Sequence, residues 1–165
     1  MKKWLIVRLV LIVVLIVVPV IVLAGGCGGD DGDGEAPGEV AVPVNLEGAG
    51  NVGSISIELV YDSSVIEVTD VTAGELAANA MMEYNIDTSG IVIIGIVDSS
   101  GINGDGVVAE LGFNIIDAEG TSSLTLDTVE THDATSLVDI INEPSDGNFA
   151  AEGNTVTAPV VRFVD

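Results

Sequence analysis

Three kinds of side chain in this sequence could do chemistry: one histidine, one cysteine and 26 carboxylates. His132 stands in "ETHDAT", and a Ser–His–Asp set could include it, but no nucleophile-elbow motif occurs to expose a serine. We therefore interpret His132 as an ordinary loop residue. A zinc site needs several thiolate or imidazole ligands, and a chain with a single cysteine and a single histidine does not supply them.

The carboxylates are too numerous for any one pair to indicate an acid–base catalyst. The densest run, "GGDDGDGEAPG" at residues 28–38, lacks the alternating ligands and closing glutamate of a calcium hand. We interpret it as a solvated acidic linker. We expect no metal or other cofactor, no catalytic residue and no enzyme activity.

Charge is distributed unevenly along the chain. Lys2, Lys3 and Arg8 precede Cys27, whereas every acid and only one base, Arg162, follow it. Such a surface repels nucleic acid phosphates and anionic lipid heads, which excludes both as partners. Because molar salt shortens the Debye length to roughly 3 Å, it would screen the self-repulsion of so acidic a domain. The composition predicts a halophilic, archaeal source, and an ordinary acidic secreted domain is the alternative.

Residues 1–27 are typical of a targeting segment, because "MKKW" is basic and the run from Leu9 to Ala24 is apolar. Positive charge ahead of this run predicts that the acidic part lies on the extracellular face of the membrane. The stretch "LAGGC" resembles a lipoprotein lipobox with one extra glycine, so we expect signal cleavage and a lipid on the thiol of Cys27. An uncleaved N-terminal hydrophobic helix that anchors the chain is the alternative.

From residue 39 onward, short apolar alternations are separated by turn signals. "SISIELVY" is the clearest strand, "MMEYNI" and "IVIIGIV" form a hairpin around "DTSG", and "VVAELGFNII" and "SLTLDTV" follow. Weaker strands are predicted at "SLVDII", "NFA" and "TVTAPVVRFV", a turn at Asn103–Gly106, and a short helix only at "AGELAANAMM". The pattern predicts an all-β fold, an antiparallel β-sandwich of eight or nine strands that spans residues 39–165 as one domain.

Carbohydrate binding is one alternative function for such a sandwich, since sugar rings commonly stack on exposed aromatic side chains. The only tryptophan, Trp4, lies in the targeting segment. The remaining aromatic residues are scattered singly, mostly within predicted strands where a core role is expected: Tyr61, Tyr84, Phe113, Phe149 and Phe163.

Four stretches, taken in order, resemble the cohesin family: "VPVNLEGAGNVGSISIELVYDSSVIEVTDV", "YNIDTSGIVIIGIVDSSGINGDGVVAELGFNII", "GTSSLTLDTVETHDA" and "DGNFAAEG". They span about Glu39 to Gly153. The resemblance implies a jelly-roll β-sandwich whose partner is a dockerin, a calcium-loaded helical module carried on another protein. It also implies that the calcium belongs to the partner.

The resemblance places the partner across one sheet face, made by the strand before "YD", the strand "IVIIGIV" and the strand that enters "ETHDA". On this chain the face would carry Ser54, Ser56 and Glu58, and its serines replace the Asn and Asp frequent in the family, so the dockerin type is not inherited. "IVIIGIV" is apolar on both sides, which leaves open whether its Ile93 side or its Ile94 side faces outward. The other predicted partner contacts are Glu83, Asn85, Thr131 and His132.

These observations together predict a non-catalytic cell-surface module that docks dockerin-bearing proteins through an apolar strip with a polar rim. The alternative is a β-sandwich that binds carbohydrate or serves as a structural or adhesion module. In either case the membrane is reached only through the N-terminal segment.

Overall fold

The structure, a computed structural model, describes residues 38–164, which form nine β-strands and one 3-10 turn at Glu75–Ala77. No helix in this part of the chain is long and apolar enough to cross a membrane. The predicted targeting segment with Cys27, and the linker as far as residue 37, lie outside the described residues. The strands are β1 (Glu39–Val60), β2 (Ile66–Ala73), β3 (Met81–Asn85), β4 (Ile91–Ile115), β5 (Thr121–Asp133), β6 (Asn142–Ser145), β7 (Gly147–Ala150), β8 (Thr155–Thr157) and β9 (Val160–Phe163).

Two long strands, β1 and β4, set the architecture because each contributes to both layers. They pair antiparallel along most of their length, and the register shifts repeatedly between Val44 and Ser54 of β1. Such bulges bend a strand pair and increase its twist. The first half of β1 therefore pairs with the second half of β4 in one layer, and the second half of β1 pairs with the first half of β4 in the other.

One layer contains four antiparallel segments in the order β3, β4, β1, β5. The other layer places β2 beside the second half of β4, and β9 runs parallel to the first half of β1. β6 pairs with β9, and the start of β5 continues through β7 to β8. The predicted hairpin at "DTSG" joins β3 to β4, where the N–H of Ile91 donates to the carbonyl of Thr88.

Side chains from both layers meet in one hydrophobic core. Phe113 of β4 lies edge-on to Tyr61, with ring centroids 5.2 Å apart and an interplanar angle of 75°. Ile57 of β1 and Phe149 of β7 are fully buried in the same cluster. Since successive side chains of a strand point to opposite faces, the long strands β1, β4 and β5 turn one row largely inward and leave the other row at the surface.

The prediction of an all-β sandwich is confirmed, with nine strands. Two segments differ from the sequence-based expectation because tertiary pairing overrides local pattern. "SLVDII" is not a strand; it turns at Leu137, whose N–H donates to the carbonyl of Asp133, and it makes a single bridge from Asp139 to His132. Strand β6, in the β-poor stretch "NEPS", exists because it pairs with β9.

Three further local predictions are corrected by strand pairing. His132 lies within β5 and pairs with Ser54, so it is not a loop residue. Asn103–Gly106 is an irregular part of β4 that pairs with the bulged part of β1, not a turn. The one stretch that could have been helical, "AGELAANAMM", contains only the 3-10 turn, and β3 begins at Met81.

Candidate functional site

Three rows of side chains cross the outer side of the β3–β4–β1–β5 layer. Each row is set by cross-strand register. Along β1 and β4 the residues between the row positions, Ile55, Ile57, Ile94 and Ile96, are buried in the core. We call this surface the outer face. Its rows are Met81–Val97–Ser54–His132, Glu83–Gly95–Ser56–Glu130 and Asn85–Ile93–Glu58–Thr128.

An apolar strip with a central depression occupies the β4 part of the outer face. Ile93 and Val97 are 44% and 55% exposed, and Met81 beside Val97 is 74% exposed. Gly95 lies between the two β4 side chains, and a Cβ placed there would approach only the carbonyl oxygen of Glu83, at 3.9 Å. Exposed apolar surface framed by polar residues is typical of a protein contact site.

Two residues predicted to contact a partner lie on the opposite, inward side of the same layer. Ile94 is 0% exposed, so the outward side of "IVIIGIV" is the one that carries Ile93. Thr131 is 2% exposed; its Oγ1 donates to the carbonyl of Ile140 and accepts from Asn142 Nδ2, both at 3.0 Å. The placement of Ile94 and Thr131 on the contact surface is therefore wrong, because strand alternation turns both side chains inward.

The other predicted contact residues do share the outer face. Ser54, Ser56 and Glu58 come from β1, and His132 comes from β5. Glu83 and Asn85 come from β3, and Ile93 from β4. The structure thus brings together residues up to 78 positions apart in the chain, as in the Ser54–His132 pair. Their contact with a partner stays a prediction.

The row that contains Ser54 and His132 continues to Asp139, and we call these three residues the polar row. Ser54 Oγ lies 3.1 Å from His132 Nδ1, and His132 Nε2 lies 3.2 Å from Asp139 Oδ1. These residue types form catalytic triads, but there the serine contacts Nε2 and the acid contacts Nδ1, the reverse of this row. The Asp139 side chain is 90% exposed, so water screens the imidazolium that catalysis would have to stabilise. The geometry of this row is therefore not that of a catalytic triad.

The outer face is strongly acidic. Three glutamates lie in its rows, and Asp139 extends the row that ends at His132. Within residues 38–164 the one lysine or arginine is Arg162, whose Nε and Nη2 each lie 2.8 Å from Glu47 Oε2 on the β1–β9 pairing of the other layer. No lysine or arginine of the described chain therefore offsets the carboxylates of the outer face.

The segment after β5 adds an apolar flank that the sequence analysis missed. Leu137, Val138 and Ile141 are 76%, 62% and 73% exposed. Leu137 lines a depression of about 210 Å³ together with Ser54 and Val97, so this flank is continuous with the outer face. The apolar run "SLVDII" has the composition of a strand, which would have buried half of these side chains.

Five residues of the outer face were also missed: Met81, Gly95, Val97, Thr128 and Glu130. Alternation from Ile93 along β4 would have found Gly95 and Val97 once the outward side was known. Met81 depends on the pairing of β3 with β4, and Thr128 and Glu130 depend on the pairing of β5 with β1. Such pairing is not encoded in local pattern.

The described residues show neither an aromatic platform nor a metal-ligand cluster. Tyr61, Phe113 and Phe149 are buried, and Phe163 is partly buried against the core. Tyr84 is 43% exposed at the β3 edge, where its hydroxyl donates to Asp70 Oδ1 at 2.8 Å, and this hydrogen bond raises the pKa of Tyr84. No group of three or more His, Cys, Asp or Glu side chains within residues 38–164 is placed to hold a metal ion.

A nine-stranded sandwich that presents one mixed apolar and acidic face has the features of a protein-recognition module. Comparison with known families agrees with this class. The profile of the Cohesin domain matches residues 30–151, most of the chain, and the protein therefore belongs to the cohesin family.

Similar proteins come from bacteria and from an archaeon. Cellulose-binding protein A of Clostridium cellulovorans is 31% identical over 101 residues, which are 58% of this chain and only 6% of that much longer protein. A non-cellulosomal cohesin from the hyperthermophilic archaeon Archaeoglobus fulgidus is 28% identical with a TM-score of 0.56, covering 79% of this chain and 83% of that one.

Two further structures are complexes. CaCohA2 in its complex with CaDoc0917 is 27% identical with a TM-score of 0.60, covering 80% of this chain and 93% of that chain. The sixth cohesin of scaffoldin B from Acetivibrio cellulolyticus, solved with a dockerin, is 21% identical with a TM-score of 0.58 and covers 80% and 92% of the two chains. At that identity the likeness supports the fold alone.

Proposed function

We propose that the outer face binds a dockerin, and that this protein is a recognition module without chemistry of its own. The observation that carries the proposal is the exposed apolar strip of Ile93, Val97 and Met81 around Gly95, set in acidic rows on one side of a cohesin sandwich. Membership of the cohesin family supports it, and cohesins among the similar structures are seen in complex with dockerins.

The contacts divide by chemistry. Apolar side chains of the partner would pack on Ile93 and Val97 and enter the depression over Gly95, which supplies most of the affinity because this area leaves water. Ser54 and Ser56 offer hydroxyls that both donate and accept, and they fix the orientation of the partner. The carboxylates of the rows favour lysine or arginine at the partner's rim, and they act mainly on the association rate and on specificity.

The experiment is a pull-down of the native surface proteome on the full-length chain in detergent and molar KCl, with calcium and with a chelator. Captured dockerins are then titrated calorimetrically against the wild-type chain and against Gly95→Trp, which fills the depression. Gly50→Trp is the matched control, because a Cβ at Gly50 has nothing within 4 Å and the residue is not part of the rows. We expect calcium-dependent capture and a loss of at least tenfold in affinity for Gly95→Trp alone. No calcium-dependent capture, or equal binding by the two variants, would refute the proposal.

We also propose that the module is tethered to the outside of the cell membrane through Cys27 or an uncleaved N-terminal helix. The sequence supports this, because a basic end and an apolar run precede "LAGGC". Mass measurement of the membrane-extracted protein distinguishes the two forms. A chain that starts at a diacylated Cys27 supports the lipoprotein, an intact Met1 supports the anchor, and recovery from the soluble fraction after lysis contradicts both.

A further inference from the structure

We propose that Asp133 is a positioning residue that fastens the segment 134–139 against β1 and so presents Leu137 to an apolar side chain of the partner. This inference rests on the function proposed above and enlarges the same contact surface. In this inference Leu137 contacts the partner, and Asp133 affects binding only by positioning Leu137.

The carboxylate of Asp133 holds the start of the segment from both of its oxygens. Oδ1 accepts from the backbone N–H of Thr135 at 2.9 Å, the N–H of Ser136 at 2.7 Å and the Ser136 hydroxyl at 2.9 Å. Oδ2 accepts from Asn51 Nδ2 at 2.8 Å, which joins the segment to β1. These hydrogen bonds, led by the N–H of Ser136, lower the pKa of Asp133 to about 2.

The segment also lies directly on the backbone of β1. The N–H of Ala134 donates to the carbonyl of Asn51 at 2.8 Å. A Cβ at Gly53 would overlap the backbone of Ala134, so only glycine allows the two chains to approach this closely. Asn51 Nδ2 further reaches Thr135 Oγ1 at 3.1 Å. The hydrogen bonds of Asp133 and the close backbone approach at Gly53 therefore both fix the position of the segment against β1.

Leu137 lies in this segment and has a backbone conformation that does not favour the stability of the free protein. Its φ is +58°, in the left-handed region that glycine and asparagine tolerate and a leucine adopts only with strain. Its side chain is also 76% exposed and so gains little from burial in the free protein. A residue that is unfavourable in both respects is accounted for by a contact made in the complex.

The partner proposed above needs more surface than the rows provide. The rows span four strands about 4.8 Å apart and four residue steps of about 3.3 Å, roughly 200 Å² in projection. A standard interface buries about 800 Å² on each partner. The depression of about 210 Å³ lined by Leu137, Ser54 and Val97 carries the outer face into the segment without a break. We therefore assign the same dockerin as the partner that covers Leu137.

The test compares the loss of an exposed apolar side chain at two positions of the full-length chain. Leu137→Asn relieves the backbone strain and removes the proposed contact, whereas Ile116→Asn removes an isoleucine that is 49% exposed outside the outer face and its flank. We expect Leu137→Asn to weaken docking by roughly 5- to 50-fold, scaled from the exposed fraction of the side chain, with an unchanged or higher Tm. Ile116→Asn should leave docking unchanged. Equal affinity of Leu137→Asn and wild type would overturn the inference.

A double-mutant cycle tests whether Asp133 acts through Leu137. Asp133→Ala and Leu137→Ala should each weaken docking, and the double variant should be little weaker than Leu137→Ala alone. Full additivity would contradict a positioning role. Gly53→Ala offers a second way to displace the segment if Asp133→Ala folds poorly, and it should weaken docking without altering core-strand amide exchange.

The two proposals fail in different ways. If wild type captures no dockerin, the proposed function fails. If wild type binds and the Leu137 and Asp133 variants bind equally well, only the positioning role fails. If Leu137→Asn changes self-association in sedimentation while docking is unaffected, a second copy of this chain is the occupant and the inference is also overturned.

Discussion

Neighbouring isoleucines on β4 offer the sharpest test of how the outer face works. Ile93 is 44% exposed, whereas Ile94 is 0% exposed in the core. Full burial of an isoleucine side chain contributes about 1.5–3 kcal/mol. A partner that covers the exposed fraction of Ile93 would therefore gain about 0.7–1.3 kcal/mol from it, which corresponds to roughly a 3- to 9-fold change in affinity.

The perturbation is Ile93→Ala, paired with Ile94→Val as its control. Ile93→Ala should weaken dockerin binding about 3- to 9-fold and change the free energy of unfolding by less than about 1 kcal/mol, because it lies on the solvent side of a strand. Ile94→Val should lower the free energy of unfolding by about 0.5–1.5 kcal/mol, since it leaves a small cavity in the core. Binding by the folded Ile94→Val protein should stay at the wild-type level.

Both quantities are measured in the same buffer. Calorimetric titration in molar KCl gives the dissociation constant for the captured dockerin, and denaturant unfolding in that buffer gives the free energy of unfolding. The reasoning fails if Ile93→Ala binds within twofold of wild type while Ile94→Val binds more weakly. That result would mean that the contact surface is not the one that alternation and burial assign.

The remaining predictions concern salt, acid and catalysis. Because all 26 acids follow Cys27 and Arg162 alone opposes them, the Tm should rise between about 0.1 and 3 M KCl, by roughly 2–8 °C for each kcal/mol of repulsion that salt screens. A Tm indifferent to salt would contradict the prediction of a halophilic source. The pKa of Asp133 in the folded protein, about 2, lies below its ordinary value of 3.8. The stabilisation that its ionised carboxylate gives to the folded protein is therefore fully present above pH 3.8 and is lost as the pH falls through about 2. The protection of the Thr135 and Ser136 amides, taken as the intrinsic exchange rate relative to the observed rate at each pH, should fall as the pH drops across that window, and Asp133→Asn should remove this fall. Finally, p-nitrophenyl acetate hydrolysis should be equal for wild type and Ser54→Ala, because the polar row lacks a shielded base; a Ser54-dependent rate would show that it can act as a nucleophile.

Much of the fold could be predicted from the sequence because it follows from local periodicity. "SISIELVY" alternates with period two, so Ile55, Ile57 and Leu59 had to share one side and Ser54, Ser56 and Glu58 the other, whatever their neighbours. Turn residues in "DTSG" likewise predict the hairpin between β3 and β4. These features depend on residues within a few positions of each other.

Local pattern could not identify the outward side of a strand whose two sides are equally apolar. It also could not predict pairing between segments that lie far apart in the chain. Ile93 and Ile94 are chemically identical neighbours, and only the second layer, which covers the Ile94 side, distinguishes them. His132 joined a strand because β1 supplies its hydrogen-bond partner Ser54. Leu137 was assigned to a strand by composition, and the hydrogen bonds of Asp133 hold its segment in a turn instead.

The amino-acid sequence by itself determined an acidic β-sandwich of the cohesin family with an apolar strand near its centre, because charge, composition and period-two alternation are properties of contiguous residues. Tertiary structure alone decided which side of that strand meets solvent, which side chains from β3, β4, β1 and β5 share a row, and where Leu137 is held. The physical reason is that a side chain's exposure depends on what packs against its sheet, and those residues lie tens of positions away in the chain.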